Sequence, residues 1–309
     1  MNRISTASSY SAILNSLQSA QQRQVEAGKQ ASSQKLGDDL KAFAKNAEIL
    51  TAMKSVQARN DAYVSQNDLV ADRLTTQNTA LGQITDAATN VRESIAEALA
   101  TGRADTLVED LRTQFSNVAE GLNARYGGKY IFAGGQIDTR PMTATTPSDL
   151  TAPATTIADF FKNDSYVSQA KLDDSTTVQT GILADDVGSG IMQSFKDFQA
   201  FEEGPTGSFG GVLTDAQRTF LEGQLAAWDQ NRADTVNVAG RNGLMQKRVD
   251  TVKTDLTTRS DNLKEMIGGI TDVDMAQAVV NLQAAGLAIQ AAAQVFTSLQ
   301  QNSLLNFLK

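Results

Sequence analysis

The C-terminal end of the chain is a long segment without a single charged residue. From Met275 to Leu308 there is no Asp, Glu, Lys or Arg. Within it, apolar and small residues recur at spacings of four and three, as in a heptad repeat. The repeat runs through Met275, Val279, Leu282, Gly286, Ile289, Ala293, Phe296, Gln300, Ser303 and Phe307. A helix on the surface of a monomer normally carries charge on its outer face. The segment is therefore predicted to be a helix that is buried on several sides against other protein.

The N-terminal end has the same character. Residues 4–22 carry no charge, and a second stripe with the same spacing follows Tyr10, Ile13, Leu17, Ala20, Gln24, Ala27 and Ala31. Two uncharged helical arms at opposite ends of a chain are natural partners for each other, so we predict that they pair. The predicted assembly interface consists of Ile4, Tyr10, Ile13, Leu17, Met275, Val279, Leu282, Ile289, Phe296 and Phe307.

The four prolines all fall between residues 141 and 205. Because proline interrupts helices and favours turns and strand edges, this distribution predicts helical ends around an irregular or β-rich centre. The predicted fold class is mainly α, with paired N- and C-terminal helices forming a coiled-coil stalk, a helical bundle domain and a small β-rich inserted outer domain. The arms are predicted at 1–45 and 268–309. The helical bundle, with a short β-hairpin, is predicted at 46–138 and 240–267. The insert is predicted at 139–239 and is expected to face solvent.

Charged amphipathic helices are predicted inside the arms. One apolar stripe, at helical spacing, consists of Leu81, Ile84, Ala88, Val91, Ile95 and Ala98. After a break at Thr101-Gly102, a second stripe continues through Leu107, Leu111, Val118 and Leu122, and a returning helix carries Val249, Val252, Leu256, Leu263 and Met266. Such stripes are typical of a helical bundle.

Composition argues against an enzyme. The chain contains no Cys and no His, which removes thiolate and imidazole metal ligands, Cys nucleophiles and Ser-His triads. The glycines of Gly127–Gly135 lack the spacing of a phosphate-binding loop, so that stretch predicts a turn, a strand and a turn. Three acidic pairs, Asp38-Asp39, Asp173-Asp174 and Asp185-Asp186, lack calcium-loop spacing and are expected in solvated turns. We expect no catalytic residue, no cofactor and no metal.

Charge and hydropathy also exclude several partners. The net charge is −8 and no basic stripe occurs, so no nucleic-acid partner is expected. The first 22 residues lack the continuous apolar core of a secretory signal peptide. No run of 18 apolar residues exists, so membrane insertion is not expected either.

Three stretches of the sequence resemble the flagellin superfamily. The first is Asn2-Arg3-Ile4-Ser5-Thr6 at the start, followed by Tyr10 and a Gln-rich arm. The second is Arg125–Gly135, followed by Asp138-Thr139 and Pro141-Met142, and the third is Ile270–Ala278 together with the ending Ser303–Leu308. The similarity covers both ends, about two thirds of the chain, and leaves the middle unmatched. The family usually has Ser-Ser-Gly-Lys and Pro-Ser-Asp-Asp near residues 30–40, whereas this chain has Gly28–Ser33 and Leu36–Asp39, so the local loop is expected to differ.

The resemblance implies a structural subunit of the bacterial flagellum, exported without a cleaved signal peptide and assembled outside the cell. It favours a subunit that joins hook to filament, whose partners are copies of itself, a neighbouring hook-associated protein and flagellin, with an export chaperone on the C-terminal arm. Two alternatives stay open at this point. One is a subunit of the filament itself, and the other is a cytoplasmic coiled-coil adaptor or enzyme with a ligand-binding insert at 139–239.

Overall fold

The computed structural model describes the backbone of residues 2–307 and the side chains of residues 11–298. Over these residues the chain is mainly helical, which confirms the predicted fold class. The α-helices are α1 (Asn2–Ser33), α2 (Ala47–Thr101), α3 (Leu107–Leu122), α4 (Ala184–Glu202), α5 (Asp215–Thr271) and α6 (Met275–Phe307). Short 3-10 helices occupy Pro147–Thr151 and Ile157–Phe160. The strands are β1 (Arg125–Tyr126), β2 (Lys129–Tyr130), β3 (Gln169–Lys171) and β4 (Thr177–Gln179), in two antiparallel hairpins.

The chain divides into two compact units. The first consists of residues 1–59 and 258–309, and the second of residues 60–257. Both boundaries fall inside long helices, α2 and α5, and not in loops. The predicted arms, 1–45 and 268–309, lie within the first unit, but its boundaries fall 14 and 10 residues further into the chain, where no proline or loop marks them.

The core of the second unit is built on the predicted stripe of α2. Leu81, Ile84, Ala88, Val91 and Ile95 are each 0% exposed, which confirms the stripe. The predicted apolar positions of α3 are buried as well, and α2 ends at Thr101, before a left-handed Gly102 with φ +68°. Helices α2 and α3 approach closely at Gly121, where an added Cβ would lie 2.6 Å from Cγ1 of Ile84.

Residues of the predicted insert complete this same core. Phe195 of α4 packs edge-on against Phe115 of α3 at 5.3 Å and against Trp228 of α5 at 4.9 Å between ring centroids. All three side chains are almost completely buried. The predicted boundaries of an insert at 139 and 239 therefore do not separate two cores. The reason is that this region contains α4 and the first half of α5, which pack against the bundle helices, while the four prolines lie outside both helices.

The second unit also contains two β-hairpins. The predicted short hairpin is formed by β1 and β2, joined by Gly127 and Gly128 with φ +57° and +81°, as a tight turn of this twist requires. The second hairpin, β3–β4, is held to α2 because amide side chains bind its backbone. Asn67 donates from Nδ2 to the carbonyl of Leu172 at 3.0 Å, and Gln77 donates from Nε2 to the carbonyl of Thr180 at 3.1 Å.

Candidate assembly surface

The two ends of the chain pair as antiparallel helices in the first unit, as the sequence predicted. A Cβ added to Gly28 of α1 would lie 3.9 Å from Leu282 of α6, and one added to Gly286 would lie 4.0 Å from Gln24. Residue numbers thus fall along α1 as they rise along α6. The uncharged arms are therefore each other's partners within one chain.

Alanines form the tightest part of this pair. Ala20 and Ala27 of α1 are 1% and 2% exposed, and Ala278 and Ala285 of α6 are 1% and 4% exposed. Because the distance between helix axes depends on the size of the side chains at the contact, small residues let the two backbones come close. The contact is therefore apolar and short-ranged.

The buried side of α6 differs in part from the predicted seam. Buried and half-buried positions recur through Ala278, Leu282, Ala285, Ile289, Ala292 and Phe296. The predicted seam shares Leu282, Ile289 and Phe296 with this side. It also included Met275 and Val279, which are 38% and 41% exposed. Two neighbouring heptad registers fit the same sequence, and the close approach of α1 selects the one with alanines.

The predicted interface residues therefore fall into three groups. Ile13 and Leu17 of α1 are half-buried, as are Leu282, Ile289 and Phe296 of α6. Met275 and Val279 are exposed at the edge of this contact, because they precede Leu282 by seven and three residues and so lie on nearly the same side of α6. The side chains of Ile4, Tyr10 and Phe307 lie outside the described residues. That all ten contact other subunits stays a prediction.

The outer face of α6 remains apolar and exposed. It carries Val280, Leu287 and Val295, which are 56%, 65% and 50% exposed. None of these three belongs to the predicted interface, although they are apolar off-seam positions in an uncharged helix. Apolar side chains exposed along one side of an uncharged helix are typical of a surface that packs against another molecule.

The same helix passes a simple test for a membrane span. Residues 275–298 form a helix long and apolar enough to cross a bilayer by length and composition, although the lack of a run of 18 apolar residues predicted no such segment. A single helix of this kind is weak evidence, because a helix that packs against protein has the same composition. One side of α6 packs against α1 in this structure, so the helix has a protein partner along that side.

A compact clasp fixes the end of α1 to the junction of α5 and α6. Leu36 donates its backbone N–H to the carbonyl of Thr271 at 2.8 Å, and Val273 donates to that of Gln34 at 3.0 Å. The side chain of Lys35 forms an ion pair with Asp272. The pKa of the Asp272 carboxyl is held below its ordinary value, mainly by the hydrogen bond from Lys35 and next by the one from the Thr271 hydroxyl. The clasp sets where the antiparallel pair begins.

The acidic pairs serve local structure. The Asp173 carboxylate accepts hydrogen bonds from the backbone N–H groups of Ser175 and Thr176, at 2.7 and 2.6 Å, and so shapes the turn between β3 and β4. Asp185 and Asp186 lie in the first turn of α4, where a helix favours negative charge. Within residues 11–298 no group of three or more carboxylates is close enough together to hold a metal ion.

A mostly helical chain with paired uncharged ends and an exposed apolar face is a structural subunit by class. Residues 4–136 match the family described as the bacterial flagellin N-terminal helical region, and residues 225–308 match the bacterial flagellin C-terminal helical region. Together the two regions cover more than half of the chain, so this protein belongs to the bacterial flagellin family. The resemblance predicted from the sequence is confirmed.

Solved structures share the fold. A protein described as a flagellar hook-associated protein from Vibrio parahaemolyticus aligns with a TM-score of 0.61 and 14% identity, over 75% of this chain and 100% of its own. The FlgL protein of Bacillus cereus aligns with a TM-score of 0.53 and 14% identity, over 71% of this chain and 99% of its own. No curated protein matches the sequence. At this identity the similarity establishes the fold.

Proposed function

We propose that this chain joins the hook of the bacterial flagellum to its filament, as a hook-associated subunit outside the cell. The observation that carries the proposal is the uncharged, exposed outer face of α6 beside a closed α1–α6 contact. Support comes from the two similar structures, of which one is described as hook-associated. The stretch Tyr130–Thr139, which resembles junction subunits in the sequence, favours the same assignment.

The α1–α6 pair supplies the driving force for assembly in this proposal. Fully burying an apolar side chain such as Leu287 stabilises a contact by about 1.5–3 kcal/mol. The outer face offers three such side chains, Val280, Leu287 and Val295, with no charge among them, so it can pack against similar helices from neighbouring subunits. Copies of this chain, an adjoining hook-associated protein and flagellin are the proposed neighbours.

The same face needs cover before assembly. An exposed apolar helix face promotes aggregation while the chain is in the cytoplasm. We therefore propose that an export chaperone covers α6 and that the chain leaves the cell without a cleaved signal peptide. A structural role without catalysis fits the chain, because the chemistry of its acidic pairs is used in turns and helix starts.

The position of the protein along isolated flagella tests this proposal against its nearest alternative. Antibody label in a single band at the hook end is expected for a junction subunit. Label along the whole shaft would assign the chain to the filament, and no label on flagella would contradict both.

A cytoplasmic adaptor makes a different prediction in solution. An adaptor should form a stable oligomer, whereas an assembling subunit should be a monomer when purified. Size-exclusion chromatography with light scattering distinguishes the two. A stable dimer or tetramer would contradict the proposed function.

A further inference from the structure

The middle of α5 presents an exposed face that is apolar and basic. Leu244 is 63% exposed, and Lys247 and Arg248 follow it within one helical turn, both exposed. Neither cation forms an ion pair among the residues that the structure describes. Gly240 precedes Leu244 by four residues and so lies on the same side of the helix, where an added Cβ would meet no atom within 4 Å. The face is therefore open to another molecule.

The charge of this face is opposite to that of the unit around it. The second unit, residues 60–257, contains 27 acidic and 16 basic residues, which gives a net charge of −11. No acidic residue occurs between 235 and 249. Arg241 is the third cation of this stretch, but it interacts with Asp186, so Lys247 and Arg248 carry the unmatched charge. A partner that covers the face is therefore expected to be acidic.

The exposed side of α4 is acidic in this way. Its exposed positions recur at spacings of four and three, so they lie on one side of the helix. They are Asp186, Gly190, Gln193, Asp197 and Ala200, and Glu203 is exposed directly after the last residue of the helix. The only cation of α4, Lys196, is half-buried and donates from Nζ to the carbonyl of Thr155 at 2.8 Å. It therefore does not neutralise this side.

The carboxylates towards the C-terminal end of α4 have polar but no cationic partners. Asp197 accepts a hydrogen bond from Nε2 of Gln193 at 2.7 Å, and Glu203 accepts one from Nε2 of Gln199 at 2.9 Å. Neither forms an ion pair in the described part of the chain. Both can therefore receive a cation from another molecule.

The basic face of α5 and these carboxylates cannot meet within one chain. Phe195 lies two residues before Asp197 and packs against Trp228 of α5, with 4.9 Å between ring centroids. Lys247 lies 19 residues beyond Trp228 on the same helix, which is about 28 Å at the rise of an α-helix. A lysine side chain is several times shorter than this distance. A contact between the two surfaces therefore joins two chains through different faces, and such contacts build rings or open helices.

We propose that the face of α5 formed by Leu244, Lys247 and Arg248 binds the acidic side of α4 in a second copy of this chain. The two cations pair with Asp197 and Glu203, and Leu244 packs against the small residues of that side. A second copy is the occupant because the chain itself carries a surface of the opposite charge, and complementary charges bring such surfaces together. This contact rests on the proposed function, because it requires that copies of the chain assemble side by side.

Charge reversal tests the contact in a strain that lacks the natural chain. Lys247→Glu with Arg248→Glu places like charges opposite each other, and so does Asp197→Lys with Glu203→Lys. Each twofold variant should lower the ratio of protein in isolated flagella to protein in the culture medium by about tenfold or more. The variant with all four changes restores opposite charges and should regain the ratio of the natural chain. All four positions are exposed, so the purified variants should unfold in urea like the natural chain.

A control with the same net charge separates specific pairing from overall charge. It combines the two changes on α5 with Glu120→Lys and Glu222→Lys, at exposed positions outside α4, and its incorporation should stay low. Recovery in this control, no recovery in the variant with all four changes, or normal incorporation of either twofold variant overturns the contact but leaves the proposed function standing. Absence of the natural chain from flagella of the unmodified strain overturns the proposed function and the contact with it.

Discussion

Placing a charge on the outer face of α6 should block assembly without unfolding the free chain. Leu287 is 65% exposed, so about two thirds of its side chain remains to be buried by a neighbour. With about 1.5–3 kcal/mol for full burial of a leucine, Leu287→Lys forfeits about 1–2 kcal/mol at each contact. It also buries an ammonium group in a stretch, Met275–Leu308, that has no acidic residue. An unpaired buried charge costs about 3–5 kcal/mol.

The summed penalty, about 4–7 kcal/mol, corresponds to a loss of about three to five orders of magnitude in the association constant, at 1.4 kcal/mol per tenfold. In the free chain the same lysine lies in water, and a surface substitution changes the free energy of unfolding by about 0.5 kcal/mol or less. We therefore expect normal urea unfolding of the purified monomer, followed by circular dichroism, together with absence of the variant from isolated flagella and loss of motility.

Leu69→Lys is a matched control, because Leu69 is also a leucine and is 62% exposed, on the charged helix α2. It should be incorporated normally. Ala285→Lys provides the contrast, because Ala285 is 4% exposed on the α1–α6 contact and its replacement should weaken the helix pair itself. Normal incorporation of Leu287→Lys would refute the idea that this face is a contact. A strongly destabilised Leu287→Lys monomer would show that the face is already packed within the free chain.

Three further changes probe the second unit. Phe195→Ala should lower the free energy of unfolding by about 3–5 kcal/mol, measured by urea titration of the fluorescence of Trp228, the only tryptophan; an unchanged midpoint would contradict the aromatic core. Replacing residues 145–235 by a Gly/Ser linker should unfold the second unit, because the deletion removes Phe195 and Trp228 from its core. A cooperative thermal transition like that of the full chain would show that the fold does not need this region. Hydrogen bonds from the backbone N–H groups of Thr145 and Thr146 lower the pKa of the Asp149 carboxyl, so the ionised carboxylate stabilises the fold above the ordinary carboxyl pKa and this stabilisation is lost as pH falls through the lowered value. Asp149→Asn should therefore reduce the dependence of the free energy of unfolding on pH in this acid range. An identical acid profile for the variant would exclude this contribution.

Periodicity and charge in the sequence were enough to predict the helices and the pairing of the chain ends. The stripe from Leu81 to Ile95 predicted a buried helix face, because apolar residues at helical spacing lie on one side of the helix and that side is stabilised by packing away from water. The missing charge in both arms predicted their pairing, because an uncharged helix is poorly suited to face water on all sides. The two glycines at 127 and 128 predicted the turn of the β1–β2 hairpin, since both adopt positive φ.

Which of two equivalent heptad registers is buried, and which residues share a core, follows from packing between elements. Two heptad registers share Leu282, Ile289 and Phe296, and the distance between α1 and α6 selected the register with Ala278 and Ala285. Local sequence does not contain that distance. In the same way, proline placement located the loops but could not show that Phe195 packs between α3 and α5, because a shared core depends on contacts between residues far apart in the chain. Periodicity is a property of one helix, whereas heptad register and membership of a core depend on how two or more helices pack together.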